Sequence, residues 1–504
     1  MQVSVLEPES PPSNRPRPLA VAILVVLGLL LVQVLFEGWL VTLFGFHHPN
    51  EYGNPAVDPA EWPKTIKSGL YFVLLALTAL KFTVDRTWRT LTTKADIALV
   101  VLGAIMAIAG LLGGSSTVLI GQALFVYFRG VIVFYAFRAL RPNWSQVKPA
   151  LWIGGAVVAV SSLIGLVQFW VGHPAYTALG WVEMKWAGEN RAHGLFPHPN
   201  DLGHLAGLMV LALVSWFMTV EKVSRRWWAL YALICLGLSV AQSRQSMMAV
   251  FAAFAVIALL RRNRWRRLIS AGVIFTLLSA LPIALSQENR ENLAYRMGGV
   301  FNALLLPGWG GKGKGPHRVP PEGIDREVRV LYITQGVQLI EDSPLLGFGV
   351  GQFGGIVAVK ADPQWNMDPR FVEILGPDGF YMYGFEAVSV DVFWLHLIVE
   401  AGVIGLLAYL VWLYFVGSPM FRAARRRGPP AQTDRVGTDP AHHWIYIWAA
   451  TALVFAVLTA AWSPVLEDPV FPPLLFAVLG FGWVLRQREQ RAASQTGSQI
   501  GGRG

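Results

Sequence analysis

Long apolar runs alternate with short polar loops along most of the chain, and this alternation predicts its architecture. The first run, residues 19–46, is longer than a signal-peptide core and lacks a small-residue cleavage site after it, so we interpret it as a retained span. Crossing a bilayer as a helix takes roughly 20 apolar residues. The other runs lie near residues 69–83, 97–112, 118–136, 151–171, 202–220, 228–241, 247–260, 268–285, 390–415, 444–462 and 470–485. The pattern predicts an all-α polytopic membrane protein with about twelve transmembrane helices.

One stretch, residues 287–388, breaks this pattern with about a hundred polar, Gly/Pro-rich residues between the ninth and tenth predicted helices. A loop of this length in a membrane protein usually carries the functional site. Within it, residues 325–341 have the spacing of an amphipathic helix, with Asp325 as N-cap and Ser343-Pro344 as its end. The predicted apolar face comprises Val330, Ile333, Val337 and Ile340.

Basic residues cluster in alternate loops, which fixes the expected orientation. These clusters lie at residues 86–94, 138–148, 222–226, 261–267 and 422–427, and in both tails. The positive-inside rule assigns them to the cytoplasm, together with both termini. The expected organisation is a cytoplasmic tail (1–17), nine transmembrane helices (18–286), an extracytoplasmic loop (287–388), a tenth helix (389–417), a cytoplasmic loop (418–442), two further helices (443–486) and a second cytoplasmic tail (487–504).

Composition agrees with a membrane protein and removes some functional classes. Hydrophobic residues make up 54% of the chain and charged residues 14%, whereas soluble domains carry roughly 25% charge. The net charge of +10 sits in short loops where topology explains it, so no nucleic-acid partner is expected. The single cysteine, Cys235, lies in an apolar run, which excludes a disulfide within the chain and argues against a catalytic thiol.

Three arginines fall in loops that the charge pattern places outside: Arg191, Arg244 and Arg329. Arginine at a membrane interface is costly unless it has a partner or water. The rigid guanidinium fork suits phosphate oxygens. These arginines therefore either tie helix ends together or form an anion clamp for the diphosphate of a lipid carrier.

Further candidate residues accompany these arginines. Arg326 lies beside Arg329, while His193 and Asn200 follow Arg191; His193 either lines a sugar site or occupies an exposed loop. Arg129, in the middle of an apolar run, either pairs with a lipid phosphate or buried carboxylate or bonds to backbone carbonyl groups.

No metal or other cofactor is expected from the sequence. The histidines of residues 173–204 straddle prolines and lack the spacing of a metal site. The glycine-rich residues 308–315 come close to a phosphate-binding loop, but no Ser or Thr follows Lys314 and no strand precedes the segment.

Four motifs in order, over residues 151–413, resemble the superfamily of O-antigen ligases and polymerases. They are Arg191 with Gly194, Phe196, Pro199 and Asn200; Ser243-Arg244; Arg329 with Pro344, Gly347, Gly349 and Phe353; and Glu400-Ala401-Gly402 with Gly405. The resemblance implies transfer of a glycan from undecaprenyl diphosphate to a hydroxyl of lipid A core or of another carrier-linked repeat. It further implies an inverting, metal-independent reaction at the outer face of the bacterial cytoplasmic membrane, with Arg191, Arg244 and Arg329 among the residues that act on the donor.

The chain departs from that family at one position. The family has a His-Asn pair nine residues before the glutamate that matches Glu400, and here Asp391-Val392 stand in that place. Asp391 is therefore the candidate base for the acceptor hydroxyl. Two other classes stay open: a transporter of a lipid-linked or anionic substrate, although no internal repeat is visible, and a catalytically silent member that binds the carrier.

Overall fold

A computed structural model describes residues 18–49, 55–182, 184–261, 264–285, 328–381, 390–426 and 442–501. The first helices are α1 Pro18–Leu43, α2 Trp62–Val84, α3 Lys94–Leu112, α4 Thr117–Leu140, α5 Trp144–Val171, α6 His173–Thr177, α7 Lys185–Gly188, α8 Pro199–Phe217 and α9 Arg225–Ala241. They are followed by α10 Arg244–Leu260, α11 Trp265–Leu285, α12 Val328–Asp342, α13 Ile356–Ala361, α14 Pro369–Leu375, α15 Phe393–Arg425, α16 His443–Thr459 and α17 Phe471–Gly501. Between α1 and α2, strand β1 (Phe46–Pro49) pairs antiparallel with β2 (Pro55–Asp58).

The helices form an all-α membrane protein, as the apolar runs predict. Within the described ranges, seven helices are long and apolar enough to cross a membrane: α1 to α5, α8 and α15. Helices α10 and α16 are shorter and apolar. Large apolar side chains remain on the outside of the bundle; Val100 and Leu112 of α3, for example, are 73% and 72% exposed. Lipid contact accounts for such surfaces, which soluble proteins avoid.

Basic loops meet at one end of the bundle. Helix α3 begins with a capping box of Thr93 and Asp96. The buried Asp96 also forms an ion pair with buried Arg138 near the end of α4. Arg488 of α17 donates from Nη2 to the carbonyl oxygen of Arg141 at 2.6 Å. Three of the predicted cytoplasmic segments therefore lie side by side.

At the opposite end, α15 is interrupted where another segment crosses it. Gly402 has φ 65° and ψ −173° inside the helix, and a Cβ there would lie 2.1 Å from the carbonyl oxygen of Leu345. The interruption frees backbone groups of α15, and the crossing segment bonds to them: Phe348 N–H donates to Val399 O at 2.8 Å, and Val403 N–H donates to the carbonyl oxygen of Pro344 at 2.9 Å. Glycine is required at this position for two reasons: the positive φ is unfavourable for residues with a side chain, and the carbonyl oxygen of Leu345 occupies the place of a Cβ.

Helix α12 packs on α15 with a different face from the predicted one. It ends at Asp342, as Ser343-Pro344 indicated. Its buried residues are Tyr332, Gln335, Gly336 and Leu339, whereas Val337 of the predicted face is 45% exposed and Ile340 is only partly buried. Gly336 lets α12 approach α15 closely, because a Cβ there would lie 2.3 Å from the side chain of Leu395. Gln335 is satisfied by the backbone of Tyr381, so its burial costs little. The predicted N-cap Asp325 lies outside the described residues.

Candidate functional site

Residues 462–468, within the loop between α16 and α17, contact candidate residues from different parts of the chain. We call this segment the acidic loop, since it ends in Glu467-Asp468. The carbonyl oxygen of Trp462 accepts from Nε of Arg329 at 2.9 Å, and that of Glu467 accepts from Arg129. The carboxylate of Asp468 lies against Asp201, in the first turn of α8. Candidate residues from distant parts of the sequence thus meet at one end of the bundle.

The structure brings Arg329 and Asp391 together. Nη2 of Arg329 donates to Oδ2 of Asp391 at 3.3 Å. The Arg329 side chain is 23% exposed and the Asp391 side chain 49% exposed. A carboxylate this open can reach an acceptor hydroxyl, while the guanidinium fixes its position. Arg326, the neighbouring candidate, lies outside the described residues.

Arg191 fastens the start of α8 to the end of α9. Its Nη2 donates to Oδ1 of Asn200 at 3.1 Å, and its Nε donates to the carbonyl oxygen of Ala241 at 3.4 Å. The guanidinium also lies over the ring of Trp186, 5.1 Å from its centroid, and 3.7 Å from the carboxylate of Glu189. These contacts join the two helix ends and fix the position of the guanidinium, with Asn200 as one of its partners.

Arg244 begins α10, directly after a tight turn that is bonded to the Arg191 segment. In this turn Gln242 has φ 51° and donates from Nε2 to the carbonyl oxygen of Asn190 at 2.9 Å. Ser243 is fully buried against α8. The contact is close, because a Cβ added to Gly203 would lie 2.3 Å from the Cβ of Ser243. Arg191 and Arg244 are consequently carried by adjoining segments, and Arg244 itself is half-buried.

His193 does not line an open site or lie exposed, which corrects both expectations for it. Its side chain is 1% exposed and packs between the rings of Tyr176 and Trp181, with centroid distances of 5.1 and 4.6 Å. These ring contacts enclose the imidazole and keep it away from solvent. Burial, only partly offset by a hydrogen bond to the backbone of Phe196, lowers the pKa of His193 to about 4.

Because His193 is buried, we predict that the folded protein becomes less stable at acidic pH. Below pH 6.5 the unfolded chain protonates His193 while the folded protein does not, so stability falls from pH 6.5 to about 4, its folded pKa. The expected loss is about 2 kcal/mol at pH 5. We expect the melting temperature of His193→Phe to fall less between pH 7.5 and 5 than that of the wild type. His173→Phe, a change in an exposed residue of the same loop, should behave as the wild type; equal acid sensitivity of His193→Phe would contradict the prediction.

Arg129 bonds to a backbone carbonyl group, which is one of the two arrangements considered for it. It is 8% exposed, and Nη2 donates to the carbonyl oxygen of Glu467. The side chain of Glu467 turns the other way and contacts Nδ1 of His396 at 3.0 Å. Both partners of that pair are buried. Arg129 and His396 therefore hold the acidic loop in place. Because His396 is buried, its ring cannot reach the hydroxyl group of an acceptor substrate.

A group of two carboxylates and a histidine lies nearby, and its two carboxylates were not among the residues predicted from the sequence. One donor atom each of Asp201, His204 and Asp468 fall within 4.8 Å of one another. His204 is 1% exposed, and neither ring nitrogen has a hydrogen-bond partner among the described residues. Carboxylate and imidazole donors of this kind suit a divalent cation. The only sequence signal for Glu467 and Asp468 was that this acidic pair lies between the last two predicted helices.

Comparison with known protein families gives no matching family model, and comparison with curated proteins gives no significant match.

Proposed function

We propose that the chain is an enzyme of the O-antigen ligase and polymerase type, which transfers a glycan from a polyprenyl diphosphate carrier to an acceptor hydroxyl. The observation that carries the proposal is the contact between Arg329 and the exposed carboxylate of Asp391, on the end of the bundle that also holds Arg191 and Arg244. A reaction that expels a diphosphate needs fixed cations beside a base, and this end of the bundle supplies both.

The proposed donor is a glycan on undecaprenyl diphosphate, and the acceptor is lipid A core or a second carrier-linked glycan. Arg329, Arg191 and Arg244 would bind the diphosphate as it leaves, since guanidinium groups pair with phosphate oxygens in bidentate geometry. Asp391 would take the proton of the attacking hydroxyl. Because attack and departure occur on opposite faces of the sugar, the anomeric configuration would invert.

The proposed setting is a bacterial cytoplasmic membrane, with about twelve helices crossing it and the site on the extracytoplasmic face. Helices lie at each of the predicted spans, including α9, α11 and α17. The Asp96–Arg138 pair and the Arg488 contact gather basic loops at the end opposite Asp391. The positive-inside rule would place that end, and both termini, in the cytoplasm.

The direct test is an assay of the purified full chain in liposomes that contain a lipid-linked oligosaccharide. We expect release of free polyprenyl diphosphate together with a lengthened or transferred glycan. Supplying either lipid A core or a second carrier-linked glycan as acceptor separates ligase from polymerase. Passage of the lipid across the bilayer without a new glycosidic bond would show a transporter and refute the proposal.

The clamp predicts that lysine cannot replace its arginines. Arg191→Lys, Arg244→Lys and Arg329→Lys should each reduce transfer about 10- to 100-fold, because lysine keeps the charge but loses the fork. Arg89→Lys is the matched control, since Arg89 lies in a short helical turn (Trp88–Leu91) beside the basic end of the bundle. Initial rates at saturating acceptor measure the effect, and wild-type rates in all three variants would refute the clamp.

A further inference from the structure

We propose that Asp201, His204 and Asp468 form a binding site for one divalent transition-metal cation, of the Zn²⁺ or Mn²⁺ class. The proposal departs from the sequence-based expectation of no metal, and it does not depend on the proposed transfer reaction. It rests on three donor groups that converge and on a buried histidine whose ring nitrogens have no other partner among the described residues.

The fold presents the three groups from two elements. Asp201 and His204 lie three residues apart at the start of α8, so they share one face of the helix. Asp468 comes from the acidic loop, and its Oδ1 also accepts from the N–H of Val470 at 2.6 Å. The ring of Phe471, 5.9 Å away and edge-on, supports the imidazole of His204. Neither the helix nor the loop could form the site alone.

The two carboxylates of the group lie close to each other in a buried place. Two carboxylates lie within hydrogen-bonding distance of each other, and repulsion between them is costly in a buried place. Two cations that lie near Asp468 among the described residues are Lys67 and Arg129. Lys67 already pairs with Glu37 at 2.6 Å, and Arg129 donates to a carbonyl oxygen of the acidic loop. A cation bound between the carboxylates and His204 would resolve the repulsion and satisfy a ring nitrogen.

The donor set selects the kind of cation. Mg²⁺ and Ca²⁺ prefer oxygen ligands alone, whereas imidazole together with carboxylate suits Zn²⁺ and Mn²⁺. Metal–ligand bonds of about 2.1 Å keep ligand atoms within about 4.2 Å of each other. The three donor atoms lie within 4.8 Å of one another, so at most small side-chain rotations would bring them to coordinating distance. Three protein ligands would leave a coordination position for water or an anionic ligand.

The test measures zinc bound to the full chain in lipid nanodiscs after chelator treatment, incubation with Zn²⁺ and desalting. We expect one zinc per chain in the wild type. Titration with Zn²⁺ should show that His204→Phe and Asp468→Asn bind zinc with an affinity at least about tenfold lower. Phenylalanine preserves the ring contact with Phe471. Asp58→Asn is the matched control, because Asp58 and His48 form an exposed His–Asp pair 3.3 Å apart, and it should bind zinc as the wild type does.

Thermal unfolding provides a second readout that does not depend on zinc recovery. Zinc should raise the melting temperature of the wild type and of Asp58→Asn, but not that of His204→Phe. In the presence of a chelator, which keeps zinc from the protein, His204→Phe should be at least as stable as the wild type, because it removes the ring nitrogens that have no hydrogen-bond partner among the described residues. Should His204→Phe not fold, His204→Gln replaces it. Absence of bound zinc in the wild type, or equal zinc binding by the His204 variant, would overturn the proposal.

Discussion

Asp391→Asn is expected to abolish glycan transfer and to leave the lipid-linked donor bound. Asparagine has nearly the shape of aspartate and can still accept a hydrogen bond from Arg329, which now contacts Oδ2 at 3.3 Å. It cannot take a proton from an acceptor hydroxyl. General base catalysis contributes about 10²- to 10⁴-fold to rates, so the turnover number should fall by that factor. Donor binding, measured by retention of a labelled lipid-linked glycan, should stay within about twofold of the wild type.

Two further variants make this result specific. Asp362→Asn removes an exposed carboxylate from the same long loop and should leave transfer unchanged. Asp391→His introduces the residue type that the resembling family has at this position. If the residue is the base, this variant should regain part of the activity, with the acidic limb of kcat/KM shifted towards the histidine pKa of about 6.5. An active Asp391→Asn enzyme would remove Asp391 from the mechanism.

Helix positions were predictable because the long helices coincide with apolar runs. The run at residues 97–112 corresponds to α3, Lys94–Leu112, and the run at 247–260 corresponds to α10, Arg244–Leu260. The apolar pattern also ran unbroken through residues 390–415, and the structure interrupts that helix at Gly402. The interruption depends on a crossing segment from elsewhere in the chain. Hydrophobic periodicity describes one helix at a time and does not show which distant segment packs against it.

The site was predictable only in part, for the same reason. The predicted outward position of their loops indicated Arg191 and Arg329, and the family resemblance indicated Asp391, nine residues before Glu400. The roles of Glu467 and Asp468 were missed because their partners, His396 and Asp201, are distant in sequence. The buried face of α12 was misassigned because burial of Gln335 depends on Tyr381, which helical spacing does not show.

Glu400→Ala is expected to detach the long loop from the bundle. The carboxylate of Glu400 accepts from the backbone N–H groups of Gly351 at 2.9 Å and Phe353 at 3.2 Å, and from the hydroxyl of Tyr127 at 2.9 Å. It thereby joins the segment after α12 to both α15 and α4. Alanine leaves two buried amide groups without acceptors, at a cost of roughly 2–6 kcal/mol in total. The melting temperature in nanodiscs should drop, and limited proteolysis should cut the loop.

Glu400→Gln separates hydrogen bonding from charge at this position. The amide oxygen of glutamine can accept from Gly351 and Phe353, and its NH₂ group can donate to the hydroxyl oxygen of Tyr127, so most of the stability should return. Glu341→Ala, a change in an exposed residue near the end of α12, should alter stability by no more than about 0.5 kcal/mol. If Glu400→Ala melted at the same temperature as Glu400→Gln, the loop would be held by the backbone contacts of Phe348 and Val403 instead. Transfer assays on the same variants link stability to chemistry, because a detached loop would carry Arg329 away from Asp391.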